Sequence, residues 1–277
     1  LFGQLDSDDA RQIFCLGSRM PLAPENLDTS AFALFLDVDG SLLEIRDNPS
    51  VVVSVSALTE LLNACSAELH GALSLISGRS IEEVDRIFSP AIFPVAGAHG
   101  AELRFDGAQA LTLDSNPMPR EALRRLEEFV ATNQGLLIEY KRGGVSLHYR
   151  RAPELQVACE ELVRGLMADL GDAFRLIAGK MVFEIAPGAH NKGAAIRSFL
   201  EHAPFVGRMP VYVGDDVTDE DAFAEVNRVG GLSIRVGDSA HSEARYELPD
   251  VASVRPWLNA AVLGIKQTTR REGSGLE

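Results

Sequence analysis

The sequence predicts an α/β fold in which a doubly wound, Rossmann-like parallel sheet carries an inserted α+β block. Short apolar runs of strand length alternate with segments of helical apolar spacing, which is typical of parallel sheets covered by helices on both faces. The middle of the chain departs from this pattern, because strand pairs joined by glycine-containing turns follow each helix there. We expect residues 1–113 and 186–277 to form a discontinuous core, and residues 114–185 to form a second domain inserted into it.

The first part of the core contains three predicted strands. The apolar run 31–36 is typical of a buried strand, and the leucines that follow Ser56 recur at helical spacing. Ser80 starts a further helix, because Glu83 stands three residues later as the second member of a capping box. In chain order we predict a short helix and a connector over 1–30, strands over 31–36, 73–76 and 93–96, and helices over 56–69 and from 80 onward.

The inserted block and the return to the core follow in sequence. The turn Arg142-Gly143-Gly144 predicts a hairpin, and Thr218 is a candidate N-cap for a late helix. The predicted elements of the block are helices over 119–133 and 153–170 and strands over 136–141, 145–150, 174–178 and 181–186. The core resumes with a helix over 190–202, strands over 210–213 and 232–236, and a helix over 254–263.

Composition limits the classes of partner. The chain has 277 residues and a net charge of −14, which argues against nucleic acid and anionic membranes, since both require basic surface. No apolar run approaches the length of a membrane span. The three cysteines are far apart in sequence and form no CxxC, so we expect reduced thiols in a cytoplasmic protein.

The main candidate site follows the first predicted strand. Asp37 and Asp39 stand two residues apart where this strand ends, at the edge where open α/β sheets bind ligands. A carboxylate pair of this kind suits Mg²⁺, and it also suits covalent catalysis with one Asp as nucleophile and the other as acid and base. The alternative is a polar turn between a strand and a helix, in which Asp and Gly are common.

Further candidates lie at equivalent places. Ser77 and the pair Asp215 and Asp216 also follow predicted strands, and Lys192 lies on a core helix. Together these groups predict a metal-assisted phosphate site, in which the metal and the lysine offset charge on the transferred group. Taken singly, Ser77 is compatible with a plain turn, Lys192 with a solvated helix lysine and the acidic run with a helix N-terminus.

Several motifs resemble a known family. DVDGSL, SGR, the lysine of NKG and GDDVTDED resemble the four motifs of the haloacid dehalogenase superfamily of phosphatases. GAHG, the stretch 139–150, GKMVFEIAP and HNKGAAI resemble the trehalose-6-phosphate phosphatase family in particular. The resemblance covers nearly all of residues 30–250, and Ser41 stands where the family usually has Thr.

This resemblance implies a Mg²⁺-dependent hydrolysis of trehalose 6-phosphate through an aspartyl-phosphate. Asp37 would be the nucleophile, and Asp39 would protonate the leaving sugar oxygen and then activate water. Asp37, the backbone carbonyl of Asp39 and Asp215 would hold the metal. The remaining implied roles are phosphoryl binding by Ser77 and Lys192, substrate binding near Gly78 and Arg79, and support of the metal and lysine by Asp216 and Asp219.

The inserted block would then be a cap that closes over the sugar. Each of three predicted strands in it has one apolar face and one polar face, and we expect the polar face to be left free. The resemblance places Glu139, Lys141 and Glu184 of that polar face on the disaccharide, whereas ordinary solvent exposure is the alternative. Two other functions stay open: a capped phosphatase for sucrose phosphate or a hexose phosphate, and a non-catalytic sugar-phosphate sensor.

Overall fold

The computed structural model describes residues 20–44, 55–106, 110–112, 117–141, 144–238 and 241–265. Its first elements are β1 (Phe32–Asp37), α1 (Ser56–Glu68), β2 (Leu73–Ile76), α2 (Ile81–Phe88), β3 (Val95–Gly97), β4 (Glu102–Arg104) and β5 (Leu111–Thr112). The middle elements are α3 (Arg120–Thr132), β6 (Leu137–Lys141), β7 (Gly144–His148), α4 (Gln156–Leu170), β8 (Phe174–Gly179) and β9 (Val182–Pro187). The last are α5 (Lys192–Leu200), β10 (Met209–Gly214), α6 (Glu220–Arg228), β11 (Leu232–Val236), β12 (Tyr246–Leu248) and α7 (Val251–Ala261).

The larger sheet has the order β12-β11-β10-β1-β2-β3-β4-β5. All its strands from β12 to β3 run parallel, and β4 and β5 extend the sheet in antiparallel register. β1 occupies a central position, and its residues Ala33, Leu34, Phe35 and Leu36 are fully buried. The α/β class and the parallel sheet predicted from the sequence are thereby confirmed.

The second sheet, which we call the small sheet, is antiparallel throughout, with the order β6-β7-β9-β8. One of its faces packs against α3 and α4 around an apolar cluster of its own, which includes Leu126, Leu147, Val163 and Ile185. The large sheet has a separate cluster, in which the ring of Phe35 contacts those of Phe199 and Phe205. The opposite face of the small sheet is therefore available to face the large sheet.

Some sequence expectations differ from the structure. β4, β5 and β12 had no counterpart among the predicted strands, because each has only two or three residues. Thr218 does not cap α6: a 3₁₀ turn at Val217–Asp219 precedes that helix, and the side chain of Asp216 caps this turn. Outside the described residues lie the predicted turn residues Arg142 and Gly143. Residues 1–19 of the segment 1–30, for which we predict a short helix and a connector, also lie outside them.

Two further observations concern the cysteines and the length of the helices. Cys65 and Cys159 are buried free thiols. Among the helices in the described ranges, none combines the length and the apolar character that a membrane crossing requires.

Candidate active site

The carboxyl ends of three neighbouring strands bring the main predicted residues together. β1 ends at Asp37, Ser77 follows β2 and Asp215 follows β10. Because these strands are adjacent and parallel, their ends share one edge of the sheet, where ligands bind in open α/β folds. Asp37 and Ser77 are only 3% and 1% exposed. The groups therefore meet in a crevice from which water is largely excluded.

Lys192 is a buried cation held between two buried carboxylates. Its Nζ donates to Asp37 Oδ1 and to Asp219 Oδ1, both at 2.6 Å. The Asn191 side chain accepts from the Ala194 N–H at 2.7 Å, which caps α5 and fixes Lys192 as its first residue. Burial alone would lower the pKa of Lys192, but the charges of Asp219 and Asp37 outweigh burial and raise this pKa. Lys192 therefore stays positively charged.

Asp219 uses both of its carboxylate oxygens to hold neighbouring groups. Oδ1 accepts from Lys192 and from the Tyr212 hydroxyl at 2.5 Å, and Oδ2 accepts from the N–H groups of Asp215 and Asp216 at 2.8 and 2.9 Å. Burial would raise the pKa of Asp219, but Lys192 and these hydrogen bonds outweigh it and lower the pKa. Asp219 is thus an ionised support for the lysine and for the loop after β10.

A divalent cation fits the remaining carboxylates. Asp37, Asp215 and Asp219 each offer an oxygen, and these atoms lie within 4.8 Å of one another. Asp37 Oδ2 is buried and has no hydrogen-bond partner in the described part of the chain. Burial and the nearby carboxylates raise the pKa of Asp37 well above its usual range and that of Asp215 to about 6. Because Asp219 is already satisfied, Asp37 and Asp215 are the side chains left to bind a cation, and hard oxygen ligands suit Mg²⁺.

The turn after β1 requires glycine at position 40. Gly40 has φ +90°, and a Cβ built on it would lie 2.0 Å from Asp215 Oδ2. Ser41, the position where the resembled family has Thr, is fully buried, and its hydroxyl donates to Asp215 Oδ1 at 3.3 Å. The Gly-Ser pair therefore lets Asp215 approach the backbone of the Asp37–Asp39 segment.

Asp39 lies at the mouth of the crevice and is paired with Arg79. Arg79 Nε and Nη2 donate to the two Asp39 oxygens, each at 2.6 Å. The backbone N–H of Arg79 donates to Ser77 Oγ at 3.1 Å. Since Ser77 Oγ accepts this bond, its own proton is left to donate to a ligand.

The small sheet covers the crevice through Glu184 and His99. His99 follows β3 of the large sheet, and its Nε2 lies 3.5 Å from Glu184 Oε1. Glu184 Oε2 accepts from Lys141 Nζ at 2.7 Å and from Ser146 Oγ at 3.2 Å. Burial lowers the pKa of His99 to about 4. A Cβ on Gly78 would lie 2.6 Å from His99 Nε2, so glycine at that position makes room for the ring.

The polar face of the small sheet is less open than the sequence pattern led us to expect. The side chain of Glu184 is 12% exposed, and Ser146 is 1% exposed. Glu139 stands in the same cross-strand row, since Glu139 pairs with Ser146 and Ser146 with Glu184, but it is half-exposed and contacts His148 Nε2 at 2.8 Å. The face is not left free, because the large sheet covers the part that contains Glu184.

Comparisons with known proteins identify the family of this chain. A model of the family described as trehalose-phosphatase matches residues 35–252. The chain belongs to the trehalose-phosphatase family. It is 40% identical to a probable trehalose-phosphate phosphatase of Sinorhizobium fredii, over 87% of this chain and 92% of that protein. It is 38% identical to the trehalose-6-phosphate phosphatase of Escherichia coli, over 86% and 90% of the two chains.

The fold is also similar to a solved structure of this family. The C-terminal domain of a C. albicans trehalose-6-phosphate phosphatase superposes with a TM-score of 0.77 at 21% identity. The match covers 89% of this chain and 100% of that domain.

For this member of the trehalose-phosphatase family, sequence reasoning missed two groups at the site. Tyr212 lies within the apolar strand β10, so its bond to Asp219 had no sequence signal. No functional role was predicted for His99, although its place after a strand, in GAHG, was a usable signal. Asp216 was expected to support the metal and lysine, but it is exposed and its carboxylate accepts from the Val217 N–H at 2.7 Å.

Proposed function

We propose that this chain hydrolyses trehalose 6-phosphate to trehalose and phosphate, with Mg²⁺ and an aspartyl-phosphate intermediate. The observation that carries the proposal is the buried Asp37, whose Oδ1 is bound to Lys192 while Oδ2 has no partner among the described residues. A buried carboxyl oxygen without a hydrogen-bond partner is free to attack phosphorus. Family membership and the named activities of the relatives support trehalose 6-phosphate as the substrate.

Asp37, Asp215 and the backbone carbonyl of Asp39 would hold the cation. When bound, Mg²⁺ supplies positive charge that offsets charge on the phosphoryl oxygens. Lys192 supplies a second positive charge at Asp37 Oδ1. Ser77 Oγ accepts from the Arg79 N–H, so its hydroxyl proton would donate to a phosphoryl oxygen.

The chain's own residues account for bond making and proton transfer. An oxygen of Asp37 attacks phosphorus, the bond between phosphorus and the sugar oxygen breaks, and Asp39 gives that oxygen a proton. Water then attacks the phosphorus of the aspartyl-phosphate, Asp39 takes up a proton from this water, and the Asp37 carboxylate is restored as phosphate leaves. Asp216 takes no part in these steps; it supports the loop after β10, where its carboxylate accepts from the Val217 N–H.

We further propose that residues 114–185 are a cap that binds the sugar through Glu139, Lys141 and Glu184. Gly78 and Arg79 would line the substrate on the side of the large sheet. The net charge of −14 favours a small substrate over nucleic acid or an anionic membrane. We expect the enzyme to act in the cytoplasm, where buried thiols such as Cys65 and Cys159 stay reduced.

A phosphate-release assay tests this function. Trehalose 6-phosphate, sucrose 6-phosphate and glucose 6-phosphate are compared at equal concentration, with wild type and Asp37→Asn. We expect trehalose 6-phosphate to be preferred and Asp37→Asn to be folded but essentially inactive. A preference for another sugar phosphate would reassign the substrate, and no turnover of any would favour a sensor. Activity of Asp37→Asn above about a tenth of wild type would remove Asp37 as nucleophile.

A further inference from the structure

Arg175 connects the small sheet to the large one without using all of its hydrogen-bond donors. It lies on the edge strand β8, and its Nη1 donates to Asp221 Oδ2 in the first turn of α6. Asp221 comes shortly after the loop that holds Asp215 and Asp219. The pair therefore joins the small sheet to the segment that carries the carboxylate cluster.

The other nitrogens of this guanidinium are unsatisfied. Nε and Nη2 are buried and have no hydrogen-bond partner among the residues that the structure describes. Arginine stays charged under all ordinary conditions, and a buried donor without an acceptor costs about 1–3 kcal/mol. Such donors point to a ligand that brings its own oxygen acceptors.

The position of Arg175 identifies where that ligand would lie. Ile177 pairs directly with Glu184, so Arg175, two residues earlier, is on the same face as Glu184. Ala186 is directly opposite Arg175 and ends at its Cβ, so its side chain offers the guanidinium no acceptor. Arg175 is also close enough to His99 for its charge to act on that ring. The unsatisfied donors therefore belong to the space between the two sheets.

We propose that Arg175 is a substrate-binding residue whose Nε and Nη2 donate to hydroxyl oxygens of the sugar, while the bond to Asp221 fixes the guanidinium. This inference rests on the proposed function, because it requires a sugar phosphate between the sheets. Lys192, Ser77 and the cation site already serve the phosphoryl group, so the sugar is the partner that lacks donors on this side. Charge-assisted hydrogen bonds to hydroxyls are about twice as strong as neutral ones.

The test uses Arg175→Lys, Asp221→Asn and, as a matched control, Arg164→Lys on the exposed side of α4. Lysine can keep the ion pair with Asp221, but it lacks the planar fork that presents several donors together. Asparagine at 221 still accepts from Nη1, so it weakens the connection between the sheets and leaves the donors of Arg175 in place. Each variant is assayed with trehalose 6-phosphate and with a small aryl phosphate, and its folding is checked by thermal unfolding.

We expect Arg175→Lys to lower kcat/KM for trehalose 6-phosphate about tenfold or more, mainly through KM, which corresponds to about 1.4 kcal/mol. Its effect on the aryl phosphate should be several times smaller. Asp221→Asn should lose less than Arg175→Lys on the sugar substrate, and Arg164→Lys should match wild type. If Arg175→Lys does not fold, Arg175→Gln takes its place with the same expectation.

Three results would overturn the inference. The first is wild-type kinetics of Arg175→Lys on trehalose 6-phosphate. The second is an equal loss on both substrates, which would place Arg175 at the phosphate or in general docking. The third is an equal loss in Arg175→Lys and Asp221→Asn, which would make the residue a connector only. A wild type without activity on any sugar phosphate would instead overturn the proposed function together with this inference.

Discussion

Arg79 binds Asp39 through two parallel hydrogen bonds, with Nε 2.6 Å from Oδ2 and Nη2 2.6 Å from Oδ1. Only a planar guanidinium makes this bidentate contact. The two side chains are 21% and 36% exposed, so the pair lies at the mouth of the crevice. Arg79 thereby sets the direction of the carboxylate that we propose as proton donor and acceptor.

We expect Arg79→Lys to lower kcat on both trehalose 6-phosphate and an aryl phosphate about tenfold or more, because general acid–base catalysis depends on the position of the carboxylate. Steady-state kinetics on both substrates are the measurement. Arg86→Lys is the control, since Arg86 forms an exposed pair with Glu82 on α2. A wild-type kcat for Arg79→Lys would show that Asp39 does not depend on the bidentate contact.

Metal removal is expected to abolish activity. Asp37 and Asp215 offer only carboxylate oxygens, the ligands that Mg²⁺ prefers, and EDTA should therefore stop turnover until Mg²⁺ is returned. Mg²⁺ at a hundredfold excess over its Kd should also raise the free energy of unfolding of wild type by about 2.7 kcal/mol. The increase should be much smaller for Asp215→Asn. Full activity in metal-free buffer, or a requirement for zinc, would contradict the cation site.

His99 is expected to make stability depend on pH. Burial lowers the pKa of His99 from 6.5 to about 4. The negative charge of Glu184 acts to raise this pKa, whereas the positive charges of Lys192, Lys141 and Arg175 act to lower it. Between these values the unfolded chain binds a proton that the folded chain does not, so stability contributed by neutral His99 is lost as pH falls.

The free energy of unfolding of wild type should therefore fall by about 1 kcal/mol more per pH unit than that of His99→Gln between pH 6 and 4.5. Urea titrations at several pH values measure this difference. Parallel pH profiles for the two proteins would show that His99 is protonated equally in both states.

The predictable part of the fold is the part with strong local patterns. β2 and β11 lie where the apolar runs placed them, and the capping box of Ser80 and Glu83 is formed, with Ser80 N–H 2.9 Å from the Glu83 carboxylate. Two-residue β5 leaves too short a pattern to detect. Its pairing partner β4, the preceding strand in the chain, has only three residues.

The site was predictable where a residue follows a strand directly, as Asp37 and Asp215 do. Contacts that cross between elements had no local signal. Tyr212 lies in an apolar run, and nothing in that run indicates that its hydroxyl donates to Asp219. The contact of His99 with Glu184 joins the two sheets, which are distant in sequence. Asp219 belongs to an acidic run four residues after Asp215, and only the family resemblance gave it a role. In the structure its side chain turns inward and accepts from the Asp215 N–H.

The small sheet should determine substrate choice through Glu184 and Glu139. Glu184 lies at the contact between the two sheets, whereas Glu139 is half-exposed in the same cross-strand row. Both carboxylates can accept from sugar hydroxyls at a distance from the phosphorus, and such remote binding holds the substrate in line for attack.

We therefore expect Glu184→Gln and Glu139→Gln each to lower kcat/KM for trehalose 6-phosphate about tenfold, or about 1.4 kcal/mol, with a much smaller loss on an aryl phosphate that lacks the sugar. Glutamine keeps the shape of each side chain, so the loss reports the charge and not a gap at the contact between the sheets. Glu160→Gln on α4 is the control, because Glu160 forms an i,i+4 pair with Arg164 on that helix. Equal losses on the two substrates would mean that Glu184 and Glu139 serve the docking of the small sheet, and the role in specificity would then be withdrawn.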